Sequence, residues 1–175
     1  GTQFTDADNI WGNGSTTSRQ TAAVDAQYGA EKTYAYYNGV LGRAGIWNNG
    51  TGARSRVHYG NAYNNAFWDG TQMTYGDGAG NAKPLTSIDV AAHEMSHGVT
   101  ENTAGLVYSG DAGGLNEATS DIFGTAVEFY ANSSADPGDY LIGEKIDING
   151  NGTPLRYMDK PSKDGASKDC WSSSL

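Results

Sequence analysis

His93-Glu94-Met95-Ser96-His97 places two imidazoles at i and i+4, with a carboxylate beside the first. On a helix, four residues turn the chain by about 400°, so His93 and His97 stand one above the other and can hold a single ion. Glu94 points about 100° away from His93, off the ion but within reach of a water on it. With three histidines and six glutamates in 175 residues, shuffling produces this pattern with a probability of roughly 0.2 %. Chance is a poor explanation, and two hydrogen-bonded histidines on a packed helix are the bland alternative.

H-E-x-x-H on a helix is a general signature of zinc metalloproteases. Structural zinc sites close with four protein ligands, usually including thiolates, whereas catalytic sites use three and leave a position open. The single cysteine, Cys170, lies far away in sequence and excludes an internal disulfide. The third ligand must be His, Asp or Glu, and the best candidate lies in Gly113-Gly114-Leu115-Asn116-Glu117-Ala118-Thr119-Ser120-Asp121. Asn116 reads as a helix N-cap, with helix to about Ala131. Glu117, Asp121 and Glu128 then share one face within about 40°, and Asp89, His93 and His97 form a stripe on the first helix. Laid antiparallel, the two helices pair His97 with Glu117, His93 with Asp121, and Asp89 with the neighbourhood of Glu128. A zinc site at one end of the seam and a hard, all-oxygen site at the other would lie roughly 9 to 17 Å apart.

Other segments around these motifs are Ala23-Val24-Asp25-Ala26, Tyr63-Asn64-Asn65-Ala66-Phe67-Trp68, Tyr75-Gly76-Asp77-Gly78, Thr103-Ala104-Gly105-Leu106, Glu128-Phe129-Tyr130 and Leu155-Arg156. With them, in this order and spacing, the chain resembles the thermolysin family of secreted zinc endopeptidases. The resemblance implies His93, His97 and Glu117 as zinc ligands and Glu94 as the base that takes a proton from water at the metal. It implies Asp121 and Asn116 as the partners that orient His93 and His97, and Tyr108 as the phenol that stabilises the oxyanion. Asn65 and the Ala66 backbone would bind substrate main chain along an edge strand, and Arg156 a substrate carbonyl. Val90, Ile142, Ile146 and Leu155 would wall an apolar pocket for a large residue on the amine side of the cut, although each is also an ordinary core position. Asp89, Glu128, Asp136, Asp139 and Glu144 correspond to a paired calcium site, and Asp6 with Asp8 to a weaker one or to a solvated acidic loop.

The implied fold is α+β: a zincin-like lobe with a small mixed or antiparallel sheet packed on the active-site helix and a second ligand helix. Along the chain, Arg19 to Leu41 reads as an amphipathic helix ended by Gly42, and Arg54 to Tyr59 and Thr71 to Tyr75 as strands. An asparagine-rich connection is expected at 61 to 65, and a hairpin-like stretch around Leu106 to Ser109. Asp147-Ile-Asn-Gly-Asn-Gly copies the start of an EF-hand loop but has Met158 at the twelfth place, so a glycine turn is the better reading.

The formal net charge of −9 and the lack of a basic cluster speak against a nucleic-acid partner. No apolar run is long enough for a membrane span, and no signal peptide is present, as expected of a mature secreted product. Residues 1–175 read as one truncated metallopeptidase domain. The family's N-terminal β-rich region is expected to be largely missing, as is its C-terminal helical lobe, which supplies an active-site histidine and aspartate. His58 offers no replacement. The exposed apolar surface would invite a homodimer or association with the missing lobe. The function read here is zinc-dependent endopeptidase action on peptide or protein substrates. The alternatives are a metal-binding fragment of such a protease with little catalysis, and an unrelated calcium-binding module, against which the Glu117 and Asp121 register argues.

Overall fold

The computed structural model describes residues 1–171. Three helices carry the fold: α1 (Arg19–Leu41), α2 (Ile88–Glu101) and α3 (Gly110–Ala131). Between the first two lies a three-stranded sheet of β1 (Arg54–Arg56), β2 (Ala66–Trp68) and β3 (Gln72–Tyr75). Its order is β1-β3-β2, parallel between β1 and β3 and antiparallel between β3 and β2. A two-stranded antiparallel ribbon of β4 (Leu141–Ile142) and β5 (Arg156–Tyr157) follows α3. The class is α+β, as expected.

α1 forms where the sequence places it and stops at Gly42, whose φ of 66° only glycine adopts freely and whose amide caps the Tyr37 carbonyl. Its buried stripe is Ala22, Ala26, Gly29, Thr33 and Tyr37, a helical spacing of small residues that brings α1 close to α2. At Gly29 an added Cβ would lie 2.4 Å from the Ala91 Cβ, so the approach depends on glycine. Tyr37 closes the contact by donating to Ser96 Oγ at 2.9 Å. α2 is buried nearly all round, wedged between α1, α3 and the sheet, and the main core around it gathers Met73, Tyr75, Val90, Met95 and Val99.

α3 inverts the usual amphipathic arrangement. Its buried positions include Asn116, Ser120, Asp121, Thr125 and Glu128, while Leu115, Ile122 and Phe129 are exposed. Burying polar groups costs free energy unless partners satisfy them, so this stripe marks the seam with α2 as chemistry rather than packing. The helices meet at Gly124, where a Cβ would lie 2.7 Å from the Asp89 carbonyl oxygen.

Several expected boundaries shift. α3 begins at Gly110 after Ser109, so Asn116 sits inside the helix and is not its N-cap. Residues 106 to 109 form no hairpin. β1 ends at Arg56, because His58 adopts a φ of 59° that no strand tolerates. His58 Nδ1 is 2.8 Å from both Asp77 oxygens and its Nε2 is 2.9 Å from the Arg19 carbonyl, a bracing role away from the seam. The Asp147 segment is a turn, with Asp147 Oδ1 accepting the amides of Asn151 and Gly152.

Candidate metal and substrate site

The seam between α2 and α3 gathers the predicted ligands. His93 Nε2 and His97 Nε2 lie 2.9 Å apart, and Glu117 places one oxygen 3.2 Å from the first and the other 3.3 Å from the second. A tetrahedral zinc site with bonds of about 2.0–2.1 Å has ligand-to-ligand edges of about 3.3 Å; both Glu117 distances, made by its two different oxygens, match that edge, and the histidine pair is closer than it. The remaining hydrogen bonds fix which nitrogen is free. Asn116 Nδ2 donates to the Leu106 carbonyl, so its Oδ1 must face His97 Nδ1, 2.6 Å away, and accept that proton. Asp121 Oδ1 accepts from His93 Nδ1 at 2.7 Å. Both Nε2 lone pairs therefore point at each other and at a carboxylate, an arrangement that demands a proton or a cation between them.

The electrostatics agree with that demand. Burial works to lower the His93 pKa, but hydrogen bonds to Asp121 and Glu117 outweigh it and raise it to about 9. Burial would raise Glu117, yet its bonds to His93, His97 and Tyr108 hold it well below the carboxylate range. Asp121 is likewise held low, burial being outweighed by His93 and Arg156. Arg156 grips Asp121 with Nε at 2.6 Å and Nη2 at 2.7 Å. Nothing in the sequence signals this pairing, which ties β5 to the orientation of His93.

Glu94 lies beside the triad in the same cluster, with ligand-capable atoms of His93, Glu94 and His97 within 4.8 Å of one another. It is buried, which raises its pKa first of all, against the opposing pull of the two histidines. Tyr108 reaches over from an exposed loop to donate to Glu117 Oε1, and that bond more than its burial raises its pKa to about 12.

These groups floor a cleft of about 820 Å³ whose wall is the edge strand β2. Asn65, Ala66, Val90, Leu155 and Arg156 line it. Ile142 does not: it is a fully buried residue of the ribbon itself, and Ile146 belongs to the main core. Beyond Trp68 the wall continues to Asp69, Gly70 and Glu101, and the Trp68 indole donates to Glu101 Oε2 at 2.6 Å.

At the other end of the seam, Asp89, Glu128 and Glu144 bring carboxylate oxygens within 4.8 Å of one another. Glu128 Oε1, Asp136 Oδ1 and both Glu144 oxygens are buried without hydrogen-bond partners. Burial, then mutual repulsion, raises Glu128 and Glu144 to about 8, and burial also raises Asp89. Such an all-oxygen nest could hold a hard cation. Asp139 enters it through its backbone amide, which donates to Glu128, while its carboxylate accepts the Leu141 amide. Asp6 and Asp8 accept backbone amides of their own loop.

Comparison with known proteins agrees with the geometry. The family model for the thermolysin metallopeptidase catalytic domain matches residues 1–101, and that for the thermolysin metallopeptidase α-helical domain matches residues 104–175. The chain belongs to the thermolysin family. The division between the two models falls between α2 and α3, so in this thermolysin-family chain the histidines come from one side and Glu117 from the other. The α-helical domain thus begins within this chain, at the loop before α3. The chain is 70 % identical over 177 residues to a transglutaminase-activating metalloprotease of Streptomyces mobaraensis, covering all of the chain and 23 % of that protein. It is 49 % identical over 163 residues to a thermolysin of Alicyclobacillus acidocaldarius, covering 90 % of the chain and 29 % of that protein. It therefore spans about a quarter of the length of these relatives. A solved structure of the precursor of protealysin, a metalloproteinase from Serratia proteamaculans, superposes with a TM-score of 0.73 at 39 % identity, over 88 % of this chain and 48 % of that one.

Proposed function

We propose that this chain is the metal-binding part of a secreted zinc metalloendopeptidase that cleaves internal bonds of peptides or proteins. The observation that carries the reading is the convergence of His93 Nε2, His97 Nε2 and Glu117 on one point, with Glu94 beside them on the floor of a cleft walled by an edge strand. Zinc held there by His93, His97 and Glu117 would supply Lewis acidity, polarising a peptide carbonyl and acidifying water toward a pKa of about 7.

The chain's own groups do the rest. The free edge of β2 pairs with an extended peptide, with Asn65 and Ala66 holding main chain. Val90 and Leu155 receive a large apolar side chain on the amine side of the cut; the Ile142 carbonyl accepts the Leu155 amide. Glu94 takes the proton from the attacking water and returns it to the leaving amine, and the burial that raises its pKa makes it a stronger base. Tyr108 stays protonated through the neutral range and donates to the developing oxyanion. Arg156 locks Asp121, and through it the His93 tautomer, while its place in the cleft lets it meet a substrate carbonyl.

The carboxylate nest of Asp89, Glu128, Asp136 and Glu144, with Asp139 beside it, fits calcium, and its orphaned oxygens support one or more structural ions. One main core draws residues from Ala26 to Leu155, across all three helices and the sheet, and the chain acts as one domain in this reading. The exposed stripe of Leu115, Ile122 and Phe129 on α3 suits association with further polypeptide. Among the described residues no helix is long and apolar enough to cross a membrane. Cleavage of a quenched peptide by the zinc-loaded chain, abolished in Glu94→Ala, tests the reading; one-to-one zinc binding without cleavage would leave a metal-binding fragment.

A further inference from the structure

The cleft is charged unevenly along its length. Glu94, His97 and Glu101 fall at i, i+3 and i+7 on α2, so they share the face that floors the cleft, and all three line it. Val90 lies at the opposite end of that face and packs in one cluster with Leu155, while Arg156 lines the cleft with its guanidinium on Asp121, the partner of His93. One end is therefore apolar with a cation, and the other presents Asp69 and Glu101 around Trp68. Hydrogen bonds from Thr71 and Gln72 occupy Asp69, and Arg56 stands 3.9 Å from it, stacked on Tyr59. Glu101 is different. Trp68 holds one of its oxygens, the other faces the gap above Gly70, and no lysine or arginine among the described residues pairs with it.

We infer that Glu101 is a specificity-determining residue that selects a lysine or arginine two residues before the cut. The inference rests on the proposed peptidase reading, which seats the residue after the cut on Val90 and Leu155. From there the residues before the cut must run along β2 toward Trp68 and Glu101. Side chains of an extended peptide alternate, so the second residue before the cut points to the same side as the one seated in the apolar pocket. Glu101 lies two helical turns, about 10.5 Å, along α2 from Glu94. From a cut placed beside Glu94, the second residue before it lies about one and a half extended residues away, about 5 Å, and the stem of a lysine or arginine covers the remainder. The Trp68 indole offers that stem an apolar surface and holds the carboxylate in place, so little side-chain freedom is lost on pairing.

The test uses the zinc-loaded chain and three quenched peptides that differ only in having Lys, Gln or Glu two residues before the cut, with leucine after it. The expected order of kcat/KM is Lys, then Gln, then Glu, spanning about tenfold or more at low salt and shrinking as salt is added. Glu101→Gln keeps an acceptor for the Trp68 indole and is expected to bring the three peptides within about threefold; Glu101→Lys is expected to reverse the order. Binding of fluorescent ketomethylene analogues of the same three peptides is measured in parallel by anisotropy. Ordered binding without cleavage would overturn the peptidase reading and leave the role of Glu101 standing. Equal rates and equal binding for the three, binding of none, or an order unchanged in Glu101→Gln would overturn the inference.

Discussion

At the scale of single residues, the site is defined by which proton sits where. Asn116 is the clearest case: its amide donates to Leu106, which obliges its oxygen to accept from His97 and turns that imidazole's other nitrogen toward His93 and Glu117. Asp121 does the same for His93. Asn116→Ala or Asp121→Asn is therefore expected to weaken zinc binding by about 10- to 100-fold, read by competition against a chromogenic chelator. Under the proposed reading, Tyr108→Phe should lower kcat by about 10² with zinc affinity nearly unchanged. The His-x-x-x-His spacing and the Glu117 and Asp121 register are legible in the sequence, because helical periodicity converts spacing into direction, whereas Asn116 and Tyr108 follow only from the family resemblance. The bidentate grip of Arg156 on Asp121 was not legible: the two are 35 positions apart, and only the fold of β5 back onto α3 joins them. Ile142 shows the opposite failure, since an apolar residue near a site gives no sign of whether it faces the cavity or the core.

At the scale of elements, two helices meet through small residues and a polar seam. Gly124→Ala would drive a methyl into the Asp89 carbonyl, so α2 and α3 must separate; a loss of about 1–3 kcal/mol in chemical denaturation is expected, with zinc affinity falling alongside. The carboxylate nest predicts a pH dependence. Glu128 and Glu144 have folded-state values raised to about 8, above the unfolded range, so the cation-free protein is stabilised below about pH 4.5 and loses that contribution as pH rises toward 8. With EDTA the melting temperature should fall across this window; with millimolar calcium it should not, and the calcium-induced shift should grow with pH. The sequence made the extent of α1 legible through Gly42 but not its buried face: Val24, Tyr28, Val40 and Leu41 are exposed, and the small residues Ala22, Ala26, Gly29 and Thr33 make the contact. It hid the start of α3, since Gly110, Gly113 and Gly114 argue against helix locally. Packing overrode that preference: a Cβ at Gly113 would lie 3.1 Å from the Tyr108 backbone, so the glycine admits the loop that carries the phenol. β1 was read too long because alternation continues to Tyr59, while the backbone turns away at His58.

For the whole molecule, 25 glycines and a net charge of −9 leave a chain whose unfolded state is free and whose folded state repels itself. Metal ions bound at both ends of the α2–α3 seam would offset each effect, so folding and metal loading should be coupled. Removal of zinc by a chelator is expected to lower the melting temperature as well as abolish activity, and the loss should be smaller in His97→Ala, which starts with a weakened site. The most direct test of the central claim is hydrolysis of a quenched fluorescent peptide with a large apolar residue after the cut, by chain loaded with one equivalent of zinc. The seam geometry predicts cleavage that phenanthroline stops and that Glu94→Ala lacks despite binding zinc equally well. Equal cleavage by both proteins, or one-to-one zinc binding with no cleavage by either, would contradict it.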